Sequence, residues 1–333
     1  MNIIIPMAGM GTRLRPHTLT IPKPLIPVAG IPIVHRLVAD IAQVCNERIK
    51  EIAFIVHPDF GKDIENTLIN LAQTLGAKGA IYYQKEALGT AHAIHCASES
   101  LKGNTIVAFA DTLFIANFTL DTSKDAVIWV QKVKDPSAFG VVKTDADERI
   151  TDFVEKPKEF VSDLAIIGIY YFKQGEVLQE ELQYLLDNDI HVNGEYQLTT
   201  ALENMKKKGT AFYTGKIDEW LDCGNKDAVV HTNSRLLAKY GSSLDPDVTI
   251  INSQIIEPCC VQKGVTISNS IIGPEVTIGA NSSIENSVIS HSLIQNNATL
   301  SHVNCIKSMI GNNAHIQHTP IDYNIGDFTC IKK

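Results

Sequence analysis

The sequence predicts an α/β/α sandwich built on a mostly parallel mixed sheet, followed by a parallel β-helix. Short apolar runs alternate with amphipathic stretches from residue 1 to about 224, as expected for helices on both faces of a largely parallel sheet. A Gly/Ser break follows at 241–243, and beyond Pro246 aliphatic residues recur six positions apart. The 333 residues are therefore predicted to form two domains, 1–240 and 246–333.

The elements of the first domain can be placed in order along the chain. Residues 2–6 predict an apolar first strand, and 51–56 and 105–110 predict two buried strands. The amphipathic residues 63–76 predict a helix between those two strands. A last helix is predicted over 225–240, and the Gly-Ser-Ser sequence at 241–243 is expected to end it.

A six-residue aliphatic step indicates the β-helix, in which each short strand points one aliphatic side chain into a triangular core. Three of its blocks open alike, with IGPEVT, IGANSS and IGNNAH. The positions that keep the step are Val261 and Ile267; Ile272, Ile278 and Ile284; Ile294 and Leu300; Ile310 and Ile316; and Ile325 and Ile331.

Composition excludes several classes of protein. A hydrophobic content of 44% with 20% charged residues is ordinary for a globular chain with a proper core. The net charge of −8 argues against a nucleic-acid partner. No apolar run is long enough for a membrane span, and the start does not resemble a signal peptide, so we expect a cytoplasmic protein. Seven cysteines without a C-x-x-C pair are expected to be reduced thiols.

A rigid cationic loop follows the first strand. The stretch GMGTRLRPHTLTIPKPLIPVAGIP, residues 9–32, holds two arginines, one lysine and five prolines, and the first acidic residue of the chain is Asp40. Prolines on either side of Lys23 restrict the backbone there, so the ammonium group is held on a stiff segment. A Gly-rich turn can form an anion-binding nest from backbone N–H groups. The loop therefore predicts a phosphate site.

This stretch resembles the signature of the sugar-1-phosphate nucleotidyltransferases, the nucleotide-sugar pyrophosphorylases. Their motif is G-x-G-T/S-R-L-x-P-x-T followed by P-K-P-L-x-P-V, and the match is nearly unbroken over some 24 positions. Related motifs recur in order through residue 224, and the six-residue repeat resembles the tail that many members carry. The resemblance implies a Rossmann-like nucleotidyltransferase domain with a left-handed β-helix, similar to the glucose-1-phosphate thymidylyltransferases and uridylyltransferases.

The resemblance also implies the reaction and its charged groups. A sugar-1-phosphate oxygen attacks the α-phosphorus of UTP or dTTP and releases pyrophosphate, so the site must supply cations and a metal rather than a general base. Asp111 in TIVAFAD and Asp222 in EWLDCGN match the family's Mg²⁺ ligands. The implied catalytic residues are Arg13, Lys23, Asp111 and Lys156.

Two further sets of residues are expected to bind the substrates. The nucleotide set is Ala8, Gly9, Gly11, Thr12, Arg13, Gln84, Gly89 and Thr90, in which the amide in YYQKEALGT pairs with the base edge. The sugar-phosphate set, from DFVEKPK, AIIGIYYF and NGEYQL, is Glu155, Lys156, Gly168 and Glu195. Glucose-1-phosphate is the favoured acceptor, but neither the base nor the sugar is settled by these motifs.

The β-helix leaves alternatives open. Some relatives use such a tail as a CoA-dependent acyltransferase, so a bifunctional enzyme similar to the N-acetylglucosamine-1-phosphate uridylyltransferase/acetyltransferases is one alternative. A non-catalytic regulatory subunit of the same superfamily is another. Because the tail is short and a short solenoid needs caps or neighbours, the favoured role is oligomerisation or regulation, in a homo-oligomer.

Overall fold

The computed structural model describes residues 1–45, 47–116 and 119–331. Its contacts divide the chain into two compact units. The first comprises Met1–Ile26 and Ile31–Ala228, and the second comprises Pro27–Gly30 and the chain from Val229 onward. Within the described ranges, no helix is both long enough and apolar enough to cross a membrane.

The strands up to residue 222 are β1 (Asn2–Pro6), β2 (Pro27–Val28), β3 (Ile31–Pro32), β4 (Glu51–Val56), β5 (Lys78–Tyr83), β6 (Thr105–Ala108), β7 (Thr112–Ile115), β8 (Ala126–Lys132), β9 (Val141–Thr144), β10 (Ile150–Val154), β11 (Leu164–Phe172), β12 (Phe212–Lys216) and β13 (Glu219–Asp222). The helices are α1 (Ile33–Val44), α2 (Lys62–Thr74), α3 (Thr90–His95), α4 (Gly175–Asp187), α5 (Leu198–Lys207) and α6 (Lys226–Tyr240). The strands predicted at 2–6 and 51–56 and the helices predicted at 63–76 and 225–240 are confirmed, with small shifts at helix ends. The strand predicted over 105–110 ends earlier, at Ala108.

The main sheet of the first unit runs in the order β10-β9-β11-β6-β1-β4-β5, with β8 paired to β11 and β12 paired to β8. Strand β1 pairs in parallel with β4 and β6, and β4 with β5. Strand β11 is antiparallel to β6, β8 and β9. The predicted α/β class with a mixed sheet is confirmed.

Continuous apolar runs explain why these strands lie in the centre of the sheet. Ile3–Ile5 and Ile52–Val56 are fully buried, which is typical of parallel strands covered on both faces. Helix α1 buries residues at the three- and four-residue spacing of an amphipathic helix, namely Ile33, Val34, Leu37, Val38 and Ile41.

The second unit contains the β-helix, whose strands are β14 (Ser243–Leu244), β15 (Thr249–Ile251), β16 (Gln254–Ile255), β17 (Cys259–Val261), β18 (Thr266–Ser268), β19 (Ile271–Ile272), β20 (Val276–Ile278), β21 (Ser283–Glu285), β22 (Val288–Ser290), β23 (Leu293–Ile294), β24 (Thr299–Ser301), β25 (Asn304–Ile306), β26 (Met309–Ile310) and β27 (His315–Gln317). Within the described part of the chain they form three parallel sheets, β14-β17-β20-β23-β26, β15-β18-β21-β24-β27 and β16-β19-β22-β25. The predicted left-handed parallel β-helix is confirmed.

Stacked aliphatic side chains form the β-helix core. Ile267, Ile284, Leu300 and Ile316 stand in register on successive strands, and Ile250 precedes them in the same ladder with an exposed side chain. The extension of the repeat to Ile325 and Ile331 is wrong: both side chains are exposed, and no strand lies there. Ile325 follows Ile316 by nine positions rather than six, and Pro320 between them cannot donate a ladder hydrogen bond.

The turn Pro27–Gly30, from the second half of the signature, also packs in the second unit. The Ala29 N–H donates to Asn233 Oδ1 at 2.8 Å, and the Gly30 carbonyl accepts from Gln262 Nε2 at 2.9 Å. Gly30 has φ +80°, and a Cβ there would lie 2.8 Å from Cys260 Sγ. The glycine is therefore required by both conformation and packing.

Candidate active site

The loops after β1, β5 and β6 meet at one edge of the main sheet. These strands and β4 all run in the same direction, so their carboxyl ends share the edge at which open α/β sheets bind ligands. A cavity of about 230 Å³ opens there. The predicted substrate-binding, catalytic and metal-binding residues that line it are Ala8, Gly9, Lys23, Gln84, Gly89, Thr90, Asp111 and Glu195.

Lys23 lies at this edge in contact with a carboxylate. Its Nζ is 2.7 Å from Asp111 Oδ2, and its side chain is 12% exposed while that of Asp111 is 38% exposed. Lys23 begins a short 3₁₀ helix, preceded by Pro22 in an extended conformation and followed by Pro24. The proline-braced loop thus presents the ammonium group to the cavity rather than to bulk solvent.

Asp111 and Asp222 are brought together by a small antiparallel ribbon. Strand β7 begins directly after Asp111, and β13 ends at Asp222, which stands opposite Thr112. The Cys223 N–H donates to the Asp111 carbonyl at 2.9 Å. Two carboxylates 111 positions apart in the sequence therefore lie at neighbouring positions of one ribbon.

The surroundings of Asp222 show that the charged groups of the site lie close to one another. Burial raises the pKa of this carboxyl, and the Asp111 carboxylate raises it further. The Gly224 N–H, which donates to Oδ1 at 2.9 Å, opposes that rise, as do the positive charges of Lys23 and Arg13. Arg13 is itself exposed, on the 3₁₀ helix Thr12–Leu14.

The two carboxylates suit a hard divalent cation. Among residues 1–45, 47–116 and 119–331, no cluster of three or more His, Cys, Asp or Glu side chains could hold a metal on its own. An ion on Asp111 and Asp222 would complete its coordination with water and substrate phosphates, as Mg²⁺ usually does. The donor set therefore fits Mg²⁺ and does not resemble a closed structural metal site.

The Gly-rich turn contains two glycines with different surroundings. Gly11 has φ +59°, and a Cβ there would lie 2.9 Å from Thr18 Cγ2 and 3.2 Å from Lys23 Cβ. Gly11 thus lets the turn pack against the segment that carries Lys23. Gly9 has nothing within 4 Å of such a Cβ and lines the cavity. Its lack of a side chain leaves room at the cavity wall.

Gln84 follows β5 and is 8% exposed. Its Nε2 lies 3.3 Å from the Gly89 carbonyl oxygen and 3.1 Å from His92 Nδ1. Gly89 has φ +115°, and a Cβ there would lie 2.5 Å from the Tyr196 carbonyl oxygen. The absence of a side chain at Gly89 is therefore required by the approach of residues 195–196, a contact that sequence reasoning missed.

Thr90 joins the predicted nucleotide segment to the predicted sugar segment. Its Oγ1 accepts from the Leu198 N–H at 3.0 Å and lies 3.4 Å from Gln197 Oε1. Gln197 Nε2 in turn donates to Glu195 Oε2 at 2.8 Å. Thr90 and Glu195 therefore lie in one hydrogen-bonded chain beside the cavity.

The remaining predicted sugar-phosphate residues, Glu155, Lys156 and Gly168, do not belong to the cavity lining. Glu155 Oε2 accepts from Thr199 Oγ1 at 3.1 Å, and Glu155 Oε1 is 3.8 Å from Lys156 Nζ. The Lys156 side chain is 55% exposed. Gly168 has φ +88°, and its carbonyl accepts from the Phe109 N–H at 2.9 Å, so it ties β11 to the segment before Asp111.

Tyr170 is a polar residue of this region that sequence reasoning missed. The side chain is 6% exposed. Its phenol pKa is raised by burial and then by the carboxylates of Glu155 and Asp111, which places it near both. A register shift between Ile166 and Tyr170 breaks the simple alternation of β11. The face of the sheet on which the Tyr170 side chain lies therefore could not be predicted from the sequence.

The model of the Nucleotidyl transferase family matches residues 2–239. A glucose-1-phosphate thymidylyltransferase of Streptomyces antibioticus is 28% identical, over 95% of this chain and 93% of that protein. A bifunctional protein GlmU of Methanococcus maripaludis strain C7 is 31% identical over 79% of this chain. The chain spans only 62% of that relative, and 61% of the GlmU of Methanococcus vannielii.

Solved structures agree on the fold. A putative glucose-1-phosphate thymidylyltransferase from Bacillus anthracis, in complex with a sucrose, superposes with a TM-score of 0.59 at 24% identity, covering 73% of this chain and 97% of that one. A UDP-glucose pyrophosphorylase complexed with UDP-glucose gives 0.58 at 23% identity, covering 72% and 98%. From the family match and the shared fold, the chain belongs to the nucleotidyl transferase family, as the signature predicted.

Proposed function

We propose that this protein is an enzyme that transfers a nucleotidyl group from UTP or dTTP to a sugar-1-phosphate, with release of pyrophosphate. The observation that carries the proposal is the convergence of Lys23, Asp111 and Asp222 at the carboxyl edge of the parallel strands. Family membership and the names of the relatives support the same reaction class.

The charged residues have separate roles in the proposed reaction. A sugar-phosphate oxygen bonds to the α-phosphorus, and the bond from that phosphorus to the oxygen bridging to the β-phosphate breaks. Lys23 and Arg13 neutralise the triphosphate and the leaving pyrophosphate, and Lys156 neutralises the sugar phosphate. Asp111 and Asp222 would hold Mg²⁺, which when bound supplies positive charge to the phosphoryl oxygens. No general base is needed, since a phosphate monoester is already a nucleophile.

The substrate-binding residues surround these charges. Gln84 and Gly89 would face the base, and Ala8, Gly9, Gly11, Thr12 and Thr90 would complete the nucleotide site. Glu155, Gly168 and Glu195 would contact sugar hydroxyl groups, with glucose-1-phosphate the favoured acceptor. The assignment is supported by the cavity lining, which includes Ala8, Gly9, Gln84, Gly89, Thr90 and Glu195.

We assign the proposed activity to residues 1–240 and an oligomerisation or regulatory role to residues 246–333. We also propose a cytoplasmic location, in keeping with the seven cysteines, none of which is joined in a disulfide in the described residues. Light scattering tests the expected homo-oligomer, and a monomer at micromolar concentration would oppose it.

The direct experiment is a panel of nucleoside triphosphates against sugar-1-phosphates with Mg²⁺, read by pyrophosphate release and mass spectrometry of the product. We expect a nucleoside diphosphate sugar from UTP or dTTP. No release with any pair would favour the non-catalytic subunit instead. Release of a free thiol from acetyl-CoA in the presence of a hexosamine phosphate would favour the bifunctional alternative.

A further inference from the structure

The Gln84 side chain has a defined amide orientation. A carbonyl oxygen can only accept a hydrogen bond, so the amide atom facing the Gly89 carbonyl at 3.3 Å must be the NH₂ group. The second hydrogen of that NH₂ group points to His92 Nδ1 at 3.1 Å. This nitrogen must therefore accept, which places the proton of a neutral His92 on Nε2.

This arrangement uses both amide hydrogens inside the protein. Within the part of the chain that the structure describes, no group donates to Gln84 Oε1. Gln84 lines the cavity, whereas His92 does not belong to the lining and contacts Gln84 from behind. The acceptor oxygen is thus the part of the amide left to meet a ligand.

We propose that His92 is a positioning residue that determines base selection, by keeping the Gln84 oxygen toward the base and its NH₂ group away from it. The site then favours a pyrimidine whose ring nitrogen carries hydrogen. Uracil and thymine present N3–H to an acceptor, whereas cytosine presents an N3 lone pair that repels the amide oxygen. The inference rests on the proposed function, because it takes Gln84 to face the nucleotide base.

The surroundings of His92 support this role. The residue lies in the first turn of α3, which is anchored by the Ala91 N–H donating to the Tyr196 carbonyl at 2.9 Å. Burial lowers the His92 pKa, with His95 lowering it further and Glu86 acting in the opposite sense. At neutral pH the ring is therefore uncharged and able to accept at Nδ1.

Two substitutions separate an acceptor role from simple packing. Asn offers an acceptor oxygen at about the place of the histidine Nδ1, and Leu offers none. We expect wild type to prefer UTP over CTP by about 10²-fold or more in kcat/KM, since rejected analogues leave buried polar groups unpaired. His92→Leu should reduce that ratio at least about tenfold, the scale of one lost hydrogen bond, mainly by raising KM for UTP. The kcat for UTP should stay within about threefold of wild type.

The rescue variant His92→Asn should keep the UTP/CTP ratio within about threefold of wild type, because the asparagine oxygen still accepts the hydrogen bond from the Gln84 NH₂ group. In a Gln84→Ala background, His92→Leu should change the ratio no further. Thermal denaturation identifies any variant that has merely lost its fold. A His92→Leu ratio equal to that of wild type, or equal effects of Leu and Asn, would overturn the inference.

Binding measurements separate this inference from the proposed reaction. Calorimetry with UTP and CTP in Mg²⁺, without sugar phosphate, reports base preference even if no transfer occurs. Selective binding lost in His92→Leu and kept in His92→Asn supports the inference whether or not pyrophosphate is released. If nucleotidyl transfer occurs but the base preference of the His92 variants equals that of wild type, the proposed function stands and the inference is wrong.

Discussion

At the scale of single residues, Lys23 is the most informative side chain because its position follows from its neighbours in sequence and in space. Prolines fix its backbone, and Asp111 holds its Nζ at the cavity. A lysine preorganised in this way loses less entropy when it meets a phosphate. Sequence reasoning predicted the stiff cationic loop; the contact with Asp111 depends on folding and could not be read from it.

Lys23→Ala should lower turnover by about 10²–10³, the scale for losing one preorganised charge-stabilising donor. The measurement is kcat for pyrophosphate release at saturating nucleotide. Lys78→Ala is the matched control: Lys78 makes an exposed ion pair with Glu51 at 2.8 Å, and its loss should leave kcat unchanged. Turnover of Lys23→Ala within threefold of wild type would contradict the assignment.

Acid should destabilise the protein through three half-buried histidines. Burial lowers the pKa of His17, His35 and His92, so below about pH 6.5 the unfolded chain binds protons that the folded chain does not. The free energy of unfolding should therefore fall from pH 7 to pH 5.5, although the raised pKa of Asp222 acts in the opposite sense.

Urea titrations at pH 7 and pH 5.5 measure this fall. It should be smaller in His17→Gln than in wild type, whereas replacing the exposed His318 with Gln should leave it unchanged. An equal fall in His17→Gln and in wild type would show that burial of His17 does not contribute.

At the scale of elements, hydrophobic periodicity and the Gly, Ser and Pro residues between elements predicted much of the structure. The apolar strands β1 and β4, helix α6 and the stacked aliphatic residues of the β-helix are each set by local pattern. The antiparallel position of β11 and the pairing of β7 with β13 depend on contacts between distant segments, which periodicity does not encode. The same limit explains the missed approach of Gly89 to Tyr196.

Gly89 and Gly9 make a matched pair for separating structural from functional glycines. Gly89→Ala should lower stability by about 1–3 kcal/mol from backbone strain alone, with more from overlap with the Tyr196 carbonyl. Gly9→Ala has open space, so its stability should match wild type while KM for the nucleotide rises. Thermal denaturation and nucleotide KM measure the two effects. A Gly89→Ala protein as stable as wild type would contradict the close packing of residue 89 against the Tyr196 carbonyl.

The limits of the β-helix can be tested in the same way. Ile284 is fully buried, so Ile284→Ala should cost about 2–5 kcal/mol of unfolding free energy in urea titrations. Ile325 keeps the six-residue step with Ile331 but is 56% exposed, so Ile325→Ala should cost less than about 0.5 kcal/mol. Equal costs would mean that residue 325 is packed in a further coil after all.

At the scale of the whole molecule, the candidate site is assembled from segments spread over more than two hundred residues. Lys23 comes from a loop after the first strand, Asp111 from the turn between β6 and β7, and Asp222 from the last strand before α6. Sequence motifs suggested each residue singly, through resemblance to a family. Their meeting at one sheet edge depends on the fold, and the proposed chemistry depends on that meeting.

Asp222→Asn gives the most direct test of this convergence, measured as Mg²⁺-dependent pyrophosphate release beside wild type and the exposed control Asp218→Asn. If Asp222 helps to hold the divalent ion, its amide variant should lose about 10²-fold or more in kcat/KM and need more Mg²⁺ for half-maximal rate, while Asp218→Asn behaves as wild type. A folded Asp222→Asn protein with wild-type rate and wild-type Mg²⁺ dependence would contradict the account.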